Sequence, residues 1–260
     1  MGLAMEFGWL CAGATGQYGA GPKGGERGLS ATAASESARR AWATTFFVTG
    51  FPRSRTGWLA NLLTVPPGSL CVHDVVAECE GVEELSSKLQ APPIGSGSST
   101  SSKFRFVGVS DPALALVWRE VVASATANWP GAKWVHIYRD IFDASRAYAA
   151  FLEDHGWGMP WDQVRAIMLR WERELAELES VTAVKRLEYA RLDEAGYVRE
   201  VWDWIFAGSI PWDEARFEML RRLNVQTIPS KAPASKGWIE RAMGQRKETA
   251  VWAMEQRSPG

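Results

Sequence analysis

The sequence predicts an α/β protein, a parallel β-sheet flanked by helices in a three-layer arrangement. Three observations lead there. Short runs rich in β-branched and aromatic residues alternate with longer stretches at helical spacing, the pattern of strands joined by helical crossovers. The apolar fraction of 46% and charged fraction of 23% are those of an ordinary globular domain with its own core. The first β-rich run also enters a Gly- and Pro-containing loop that opens directly into a helix.

The elements follow in chain order. Residues 1–43 are rich in Gly, Ala and Ser with few apolar anchors and read as a flexible leader. Thr44–Thr49 is the first strand, closed by Gly50 and Pro52, and Trp58–Leu63 continues as a helix. Leu70–His73 and Phe104–Val109 are further strands, separated by a low-complexity Pro/Gly/Ser stretch at 91–102 that reads as an inserted surface loop. Pro112–Asn128 is helical, Lys133–Tyr138 a fourth strand, and Asp143–Glu153 and Trp161–Ser180 helices. Val184–Tyr189 is a fifth strand, followed by helices at Asp193–Phe206 and Trp212–Leu223. The charge alternation over Arg170–Glu179 reads as a solvated helix face. The main domain is therefore expected over 44–229, with 230–260 as a C-terminal extension. Most of the fourteen tryptophans are expected in the core.

Composition also excludes classes of function. A formal net charge of −1 speaks against nucleic-acid binding by bulk electrostatics. Three cysteines, Cys11, Cys71 and Cys79, with no C-x-x-C spacing, speak against a disulfide framework or a zinc site. No run reaches the ~18 apolar residues of a membrane span. Met1–Gly16 lacks a basic n-region, and Glu6 spoils the Met-Gly myristoylation pattern. The expectation is a cytoplasmic protein with no membrane or nucleic-acid partner.

The richest stretch is Gly50-Phe51-Pro52-Arg53-Ser54-Arg55-Thr56-Gly57-Trp58. A strand running into a tight loop and then a helix aims unpaired N–H groups and the positive helix end at one point, where an anion is stabilised. Arg53 and Arg55 add charge, and Ser54 and Thr56 add hydroxyl donors. Against the nucleotide-kinase pattern G-x-x-x-x-G-K-[ST], only Gly50 fits. Arg55, Thr56 and Gly57 stand where the second Gly, the Lys and the Mg²⁺-binding hydroxyl belong. A small-molecule kinase is thus the weaker alternative.

The same loop resembles that of the sulfotransferases, whose first strand is followed by Pro, Lys or Arg, Ser, Gly, Thr, Thr and often Trp. Pro52, Arg53, Ser54, Thr56 and Trp58 match in place, while Arg55 and Gly57 depart. The resemblance implies a P-loop nucleotide-binding fold and an enzyme that moves a sulfuryl group from 3′-phosphoadenosine 5′-phosphosulfate to a hydroxyl or amine of a small-molecule or carbohydrate acceptor. It implies donor contacts from Arg53, Ser54, Arg55, Thr56 and Gly57, with Trp58 stacked on the adenine. The family's second contact is an Arg ending a strand, an Asp opening a helix, and a Ser eight residues after the Arg. Arg139 and Asp143 match, Ala147 stands at the Ser position, and Ser145 is the nearby hydroxyl. The third contact, an Arg-Lys-Gly, has at most Lys236-Gly237 as a counterpart, and Leu187–Leu192 is similar to a late family strand.

Sulfuryl transfer needs alignment, neutralisation of charge on the bridging oxygen, and a base for the acceptor proton. No metal is expected. His73 and Asp74 end the second strand, where an open parallel sheet presents its crevice. They are the candidate bases, with Glu78 in reserve and Arg53 as the charge-neutralising group. Asp111 reads rather as a cap for the following helix, His136 as a core residue and His155 as a helix cap. The alternative is a catalytically inactive nucleotide-binding module of the same fold, consistent with Arg55, Ala147 and the absent third contact.

Overall fold

The computed structural model describes residues 44–90, 104–156, 158–222 and Trp238. Five strands, β1 (Thr44–Gly50), β2 (Ser69–His73), β3 (Phe106–Ser110), β4 (Lys133–Tyr138) and β5 (Val184–Glu188), form one sheet in the order β2-β3-β1-β4-β5. Every pairing is parallel. The α/β class expected from the sequence is therefore the one observed.

Between the strands lie α1 (Thr56–Leu63), α2 (Val82–Gln90), α3 (Leu114–Asn128), α4 (Ile141–Asp154) and α5 (Trp161–Val181). After β5 come α6 (Ala195–Phe206) and α7 (Glu214–Arg221). Short 3₁₀ turns sit at Val76–Glu78 and Tyr189–Arg191.

The helices divide between the two faces. β1 carries TTFFVTG and is buried on both sides, as a central parallel strand must be. Because successive side chains alternate in direction, Phe46 and Phe47 enter opposite cores. Phe47 joins Val109, Leu114, Trp134, Met168 and Trp171 under α2 to α5. Phe46 joins Leu59, Leu62, Val135, Trp202 and Phe206 under α1, α6 and α7. Gly108 on β3 makes room for Phe46, since a Cβ there would lie 2.1 Å from the Phe46 ring.

This layout locates the crevice. The connection leaving β1 runs to the β2 edge over one face. The connection leaving β4 runs to the β5 edge over the other. Neighbouring strands whose connections diverge leave a cleft at their C-terminal ends, the usual ligand position in open α/β sheets. β1 ends there at Gly50, where a Cβ would lie 2.7 Å from the Ile137 carbonyl oxygen of β4 and only glycine fits. The loop after β1 therefore opens onto the cleft.

Several boundaries differ from expectation for physical reasons. α1 begins two residues early, at Thr56. α3 begins at Leu114, because Pro112 and Ala113 form a turn that Asp111 closes by accepting from the Ala113 N–H at 2.8 Å. α2 was not expected at all. Its nine residues bury Val82, Leu85 and Leu89, a stripe shorter than the window over which helical periodicity declares itself. Glu174 is not on a solvated face: it is buried on α5 and accepts from Trp118 Nε1 at 3.1 Å and Arg119 at 2.7 Å. Residues 1–43, the 91–102 loop and Lys236-Gly237 lie outside the described residues. Trp238, from the expected C-terminal extension, is buried in the first core and donates to Glu120.

Candidate functional site

The loop after β1 is built from two unusual backbone positions. Arg53 (φ 67°) and Arg55 (φ 62°) are left-handed, while Ser54 between them is not. Left-handed conformations cost a non-glycine residue roughly 1–2 kcal/mol each. Alternating backbone of this kind curls successive N–H groups into a concavity suited to an anion. The Ser54 N–H closes the turn onto the Phe51 carbonyl at 3.2 Å. Arg55 is the N-cap of α1, and no side chain caps that helix start. The leading N–H groups of α1 are thus left to face the cleft without an intrahelical acceptor.

Each loop side chain has a distinct fate. Arg53 is half-buried with its guanidinium 4.6 Å from the centre of the Phe151 ring on α4. Its pKa is lowered, first by burial and further by the like charge of Arg139, against an opposing contribution from Tyr189. Arg139 lies over the Tyr189 ring at 4.2 Å and donates to the Arg53 carbonyl at 2.6 Å. Two guanidinium groups are therefore held near one another at the mouth of the cleft. Ser54 is fully buried, and its hydroxyl has no hydrogen-bond partner. Such a group costs ~1–3 kcal/mol unless something satisfies it.

Arg55 does not serve the anion loop as expected. It accepts the left-handed turn that a glycine would take, then reaches away to Asp193 at 2.9 Å, with its guanidinium 4.6 Å over the Trp58 ring. Trp58 itself is corrected from its expected role. It is buried in the second core, edge-on to Phe217, and Arg55 covers a face of its ring, so no face is offered to a stacking base. Ser145 is corrected as well. It is buried and donates to the Ile141 carbonyl at 2.6 Å, the back-bonding of a hydroxyl within its own helix.

The departure at Gly57 has a visible cause. A Cβ there would lie 3.1 Å from His73 Cε1 and 3.3 Å from its Nε2. The His73 ring occupies the space that a larger residue at 57 would need. From that seat Nε2 lies 3.2 Å from Thr56 Oγ1, and Nδ1 lies 3.0 Å from Asp74 Oδ2. Hydroxyl, imidazole and carboxylate thus form a line at the start of α1. Asp74 achieves this from a left-handed backbone (φ 54°), which turns its carboxylate back onto its neighbour. Burial works against the His73 cation, but the hydrogen bond and charge of Asp74, aided by the charge of Asp111, outweigh it and raise the pKa above the ordinary 6.5.

Asp111 is buried beside this line. It accepts from the Val76 and Ala113 N–H groups, each at 2.8 Å. Burial, reinforced by the charge of Asp74, pushes its carboxyl up to about 7. Among the other expectations, Glu78 pairs with Lys88 at 3.5 Å, His136 is buried and bonded to Glu179 at 2.5 Å, and His155 caps α4 through the Phe151 carbonyl at 2.7 Å.

Three contributors were not singled out from the sequence. Ser110 donates to the Thr56 carbonyl at 2.8 Å, Phe151 underlies Arg53, and Tyr189 underlies Arg139. Ser110 directly follows the strand expected at Phe104–Val109 and is legible by that position. Phe151 and Tyr189 carry no signal apart from their partners.

Among solved structures the chain is similar to sulfotransferase STF9 from Mycobacterium avium, at 12% identity and a TM-score of 0.46 over 84% of this chain and 80% of that one. It is similar to the sulfotransferase domain of the Synechococcus PCC 7002 olefin synthase, at 14% identity and a TM-score of 0.47 over 78% and 94%. It is also similar to sulfotransferase STF1 from Mycobacterium tuberculosis H37Rv, at 13% identity and a TM-score of 0.46 over 82% and 79%. No family model and no curated protein matches the sequence.

Proposed function

We propose that the chain is a sulfotransferase-type enzyme that binds the sulfated end of a phosphosulfate donor on the 53–57 loop and deprotonates its acceptor with His73. One observation carries the reading: the imidazole of His73 lies against the hydroxyl of Thr56 on the anion loop, with Asp74 behind it. A base poised on the loop that holds the transferring group is what the reaction needs and what a passive anion site does not.

The fit to 3′-phosphoadenosine 5′-phosphosulfate is uneven along the molecule. Its phosphosulfate end suits the loop, where α1 starts uncapped, Thr56 offers a hydroxyl and Arg53 a positive charge. The unpaired, covered hydroxyl of Ser54 would gain a partner if the loop adjusts around an anion. Its nucleoside end does not find the expected contacts, since Trp58 and Ser145 are both committed elsewhere. Arg139 is the residue best placed to meet a second anionic group, because its guanidinium already borders the loop.

When bound, the donor supplies an activated sulfuryl group. The chain's own residues do the rest. The loop N–H groups and Arg53 balance the negative charge that grows on the leaving oxygen. His73 Nε2 exchanges its Thr56 contact for the acceptor hydroxyl or amine and takes its proton. Asp74 accepts from Nδ1, which fixes the tautomer and stabilises the imidazolium that results.

The test is sulfuryl transfer from 3′-phosphoadenosine 5′-phosphosulfate across a panel of phenols, alcohols, amines and sugars. Transfer by the native chain, reduced ~10²–10⁴-fold in His73→Gln, is the expected result. Donor binding without transfer to any acceptor would leave a nucleotide-binding module. Phosphoryl transfer from Mg-ATP would replace the reading with that of a kinase.

A further inference from the structure

The C-terminal end of β3 touches both halves of the Thr56–His73 contact. Ser110 Oγ donates to the Thr56 carbonyl at 2.8 Å and so fixes the first residue of α1. Asp111 Oδ2 accepts from the Val76 N–H at 2.8 Å, two residues after Asp74, and its Oδ1 accepts from the Ala113 N–H at 2.8 Å. β3 is hydrogen-bonded to both β1 and β2, the strands that end in the anion loop and in His73, with Val48 and His73 each in register with Ser110. The Asp111 N–H is itself bonded to the Val48 carbonyl at 2.9 Å. Ser110 and Asp111 are both buried.

We propose that Ser110 and Asp111 are positioning residues that set the separation of His73 from the Thr56 hydroxyl. The inference rests on the reading of His73 as the base. Neither residue touches a reacting group. Ser110 holds the hydroxyl side, and Asp111 holds the turn that carries His73 and Asp74. The left-handed backbone of Asp74 is a strained position in a short turn. The bond from Val76 to Asp111 is what pins the far side of that turn. Without it, Asp74 loses the reason to stay folded back on Nδ1, and the imidazole is free to leave its seat over Gly57.

Among the described residues, the groups that face His73 come from three places. Thr56 and Gly57 meet it from α1, Asp74 from its own turn and Asp111 from β3. Arg53 reaches the same cluster through the charge of Asp74. Loss of Asp111 therefore acts on His73 by freeing the Asp74 turn and by removing a charge, and both effects move the imidazole in the same direction.

The experiment is NMR titration of the His73 ring in the native chain, Asp111→Ala, Asp111→Asn and Ser110→Ala, followed by kcat and donor KM. In Asp111→Ala the ring should titrate lower, back toward ~6.5. In Asp111→Asn, whose side chain offers one carbonyl oxygen in place of two acceptors, it should fall between. In Ser110→Ala, the variant least disruptive to folding, kcat should drop roughly 10–100-fold and the His73 titration should move although no charge has been removed, the signature of a hydroxyl displaced from the base. Should Asp111→Ala fail to fold, Asp111→Asn and Ser110→Ala decide the matter. Native titration of His73 in a folded Asp111 variant, or a native kcat in Ser110→Ala, overturns the proposal. If the native chain transfers no sulfuryl group while Ser110→Ala, which removes no charge, still shifts the His73 titration, the base assignment fails and the positioning stands.

Discussion

Replacing Gly57 by alanine should separate stability from function in this protein. Gly57 is the second residue of α1, where alanine gains roughly 0.5–1 kcal/mol of helix stability over glycine. Opposing this, the added methyl would sit 3.1 Å from His73 Cε1 and 3.3 Å from Nε2, so the ring must retreat by a few tenths of an ångström. The Thr56 Oγ1 to Nε2 distance is already 3.2 Å. A retreat of ~0.3 Å or more takes it past the range of a useful hydrogen bond, at a cost of about 0.5–1.5 kcal/mol. Gain and loss nearly cancel, and since 1 kcal/mol moves the midpoint of a chain this size by about 2–4 °C, calorimetry should find a Tm close to native. Turnover should nonetheless fall roughly 10–100-fold, because the base has left its position. Native turnover at native Tm would show that His73 does not act from over Gly57. Turnover and Tm collapsing together would show that Gly57 serves only packing.

Three further outcomes follow from the same contacts. Arg55→Gly relieves a left-handed residue at ~1–2 kcal/mol, and loses an ion pair to the largely exposed Asp193 worth at most ~1 kcal/mol and a contact over the Trp58 ring worth about 0.5–1 kcal/mol. Its Tm should therefore stay near native or rise by calorimetry, and its donor affinity should not fall; a marked loss of affinity would place Arg55 on the anion after all. Gly108→Ala places a methyl 2.1 Å from the Phe46 ring in the centre of the sheet. Overpacking there should destabilise by about 1–3 kcal/mol or more, read by urea unfolding. Asp111 has its folded pKa raised to about 7 by burial, above its unfolded value of 3.8, so the folded state binds the extra proton. That stabilising contribution is complete below the unfolded value and is lost as pH rises through about 7. Thermal scans should show the advantage of the native chain over Asp111→Asn shrinking between about pH 4 and pH 7, the window between the unfolded and folded values.

Much of this fold could be read from residues, and the reasons are local. Lys133–Tyr138 is legible with the limits it has, because Trp134, Val135, Ile137 and Tyr138 favour a strand and Pro130-Gly131 breaks the chain before it. The 53–57 loop was legible because strand, turn and helix follow within a few residues and concentrate donors there. His73 and Asp74 were legible as a strand end. What the sequence withheld was long-range geometry. That Gly57 gives its space to a histidine sixteen residues away depends on how β2 returns beside β3. Trp58 matched a motif in place, yet its role was decided by α7, which supplies Phe217 against it. Ser145 looked polar and available, but a helix offers its own carbonyl four residues back to any serine that is buried. Asp111 was read as a local cap, and it is one; its second bond, across to Val76, has no trace in the local sequence.

Titration calorimetry with adenosine 3′,5′-bisphosphate, on the native chain and on Thr56→Val and Arg53→Ala, asks most simply whether the loop after β1 holds a nucleotide donor. The expected result is saturable binding by the native chain, weakened at least tenfold in each variant, about 1.4 kcal/mol of lost affinity. No binding by the native chain, or equal binding by all three proteins, would mean that the Arg53–Gly57 loop is a strained turn and not a donor site.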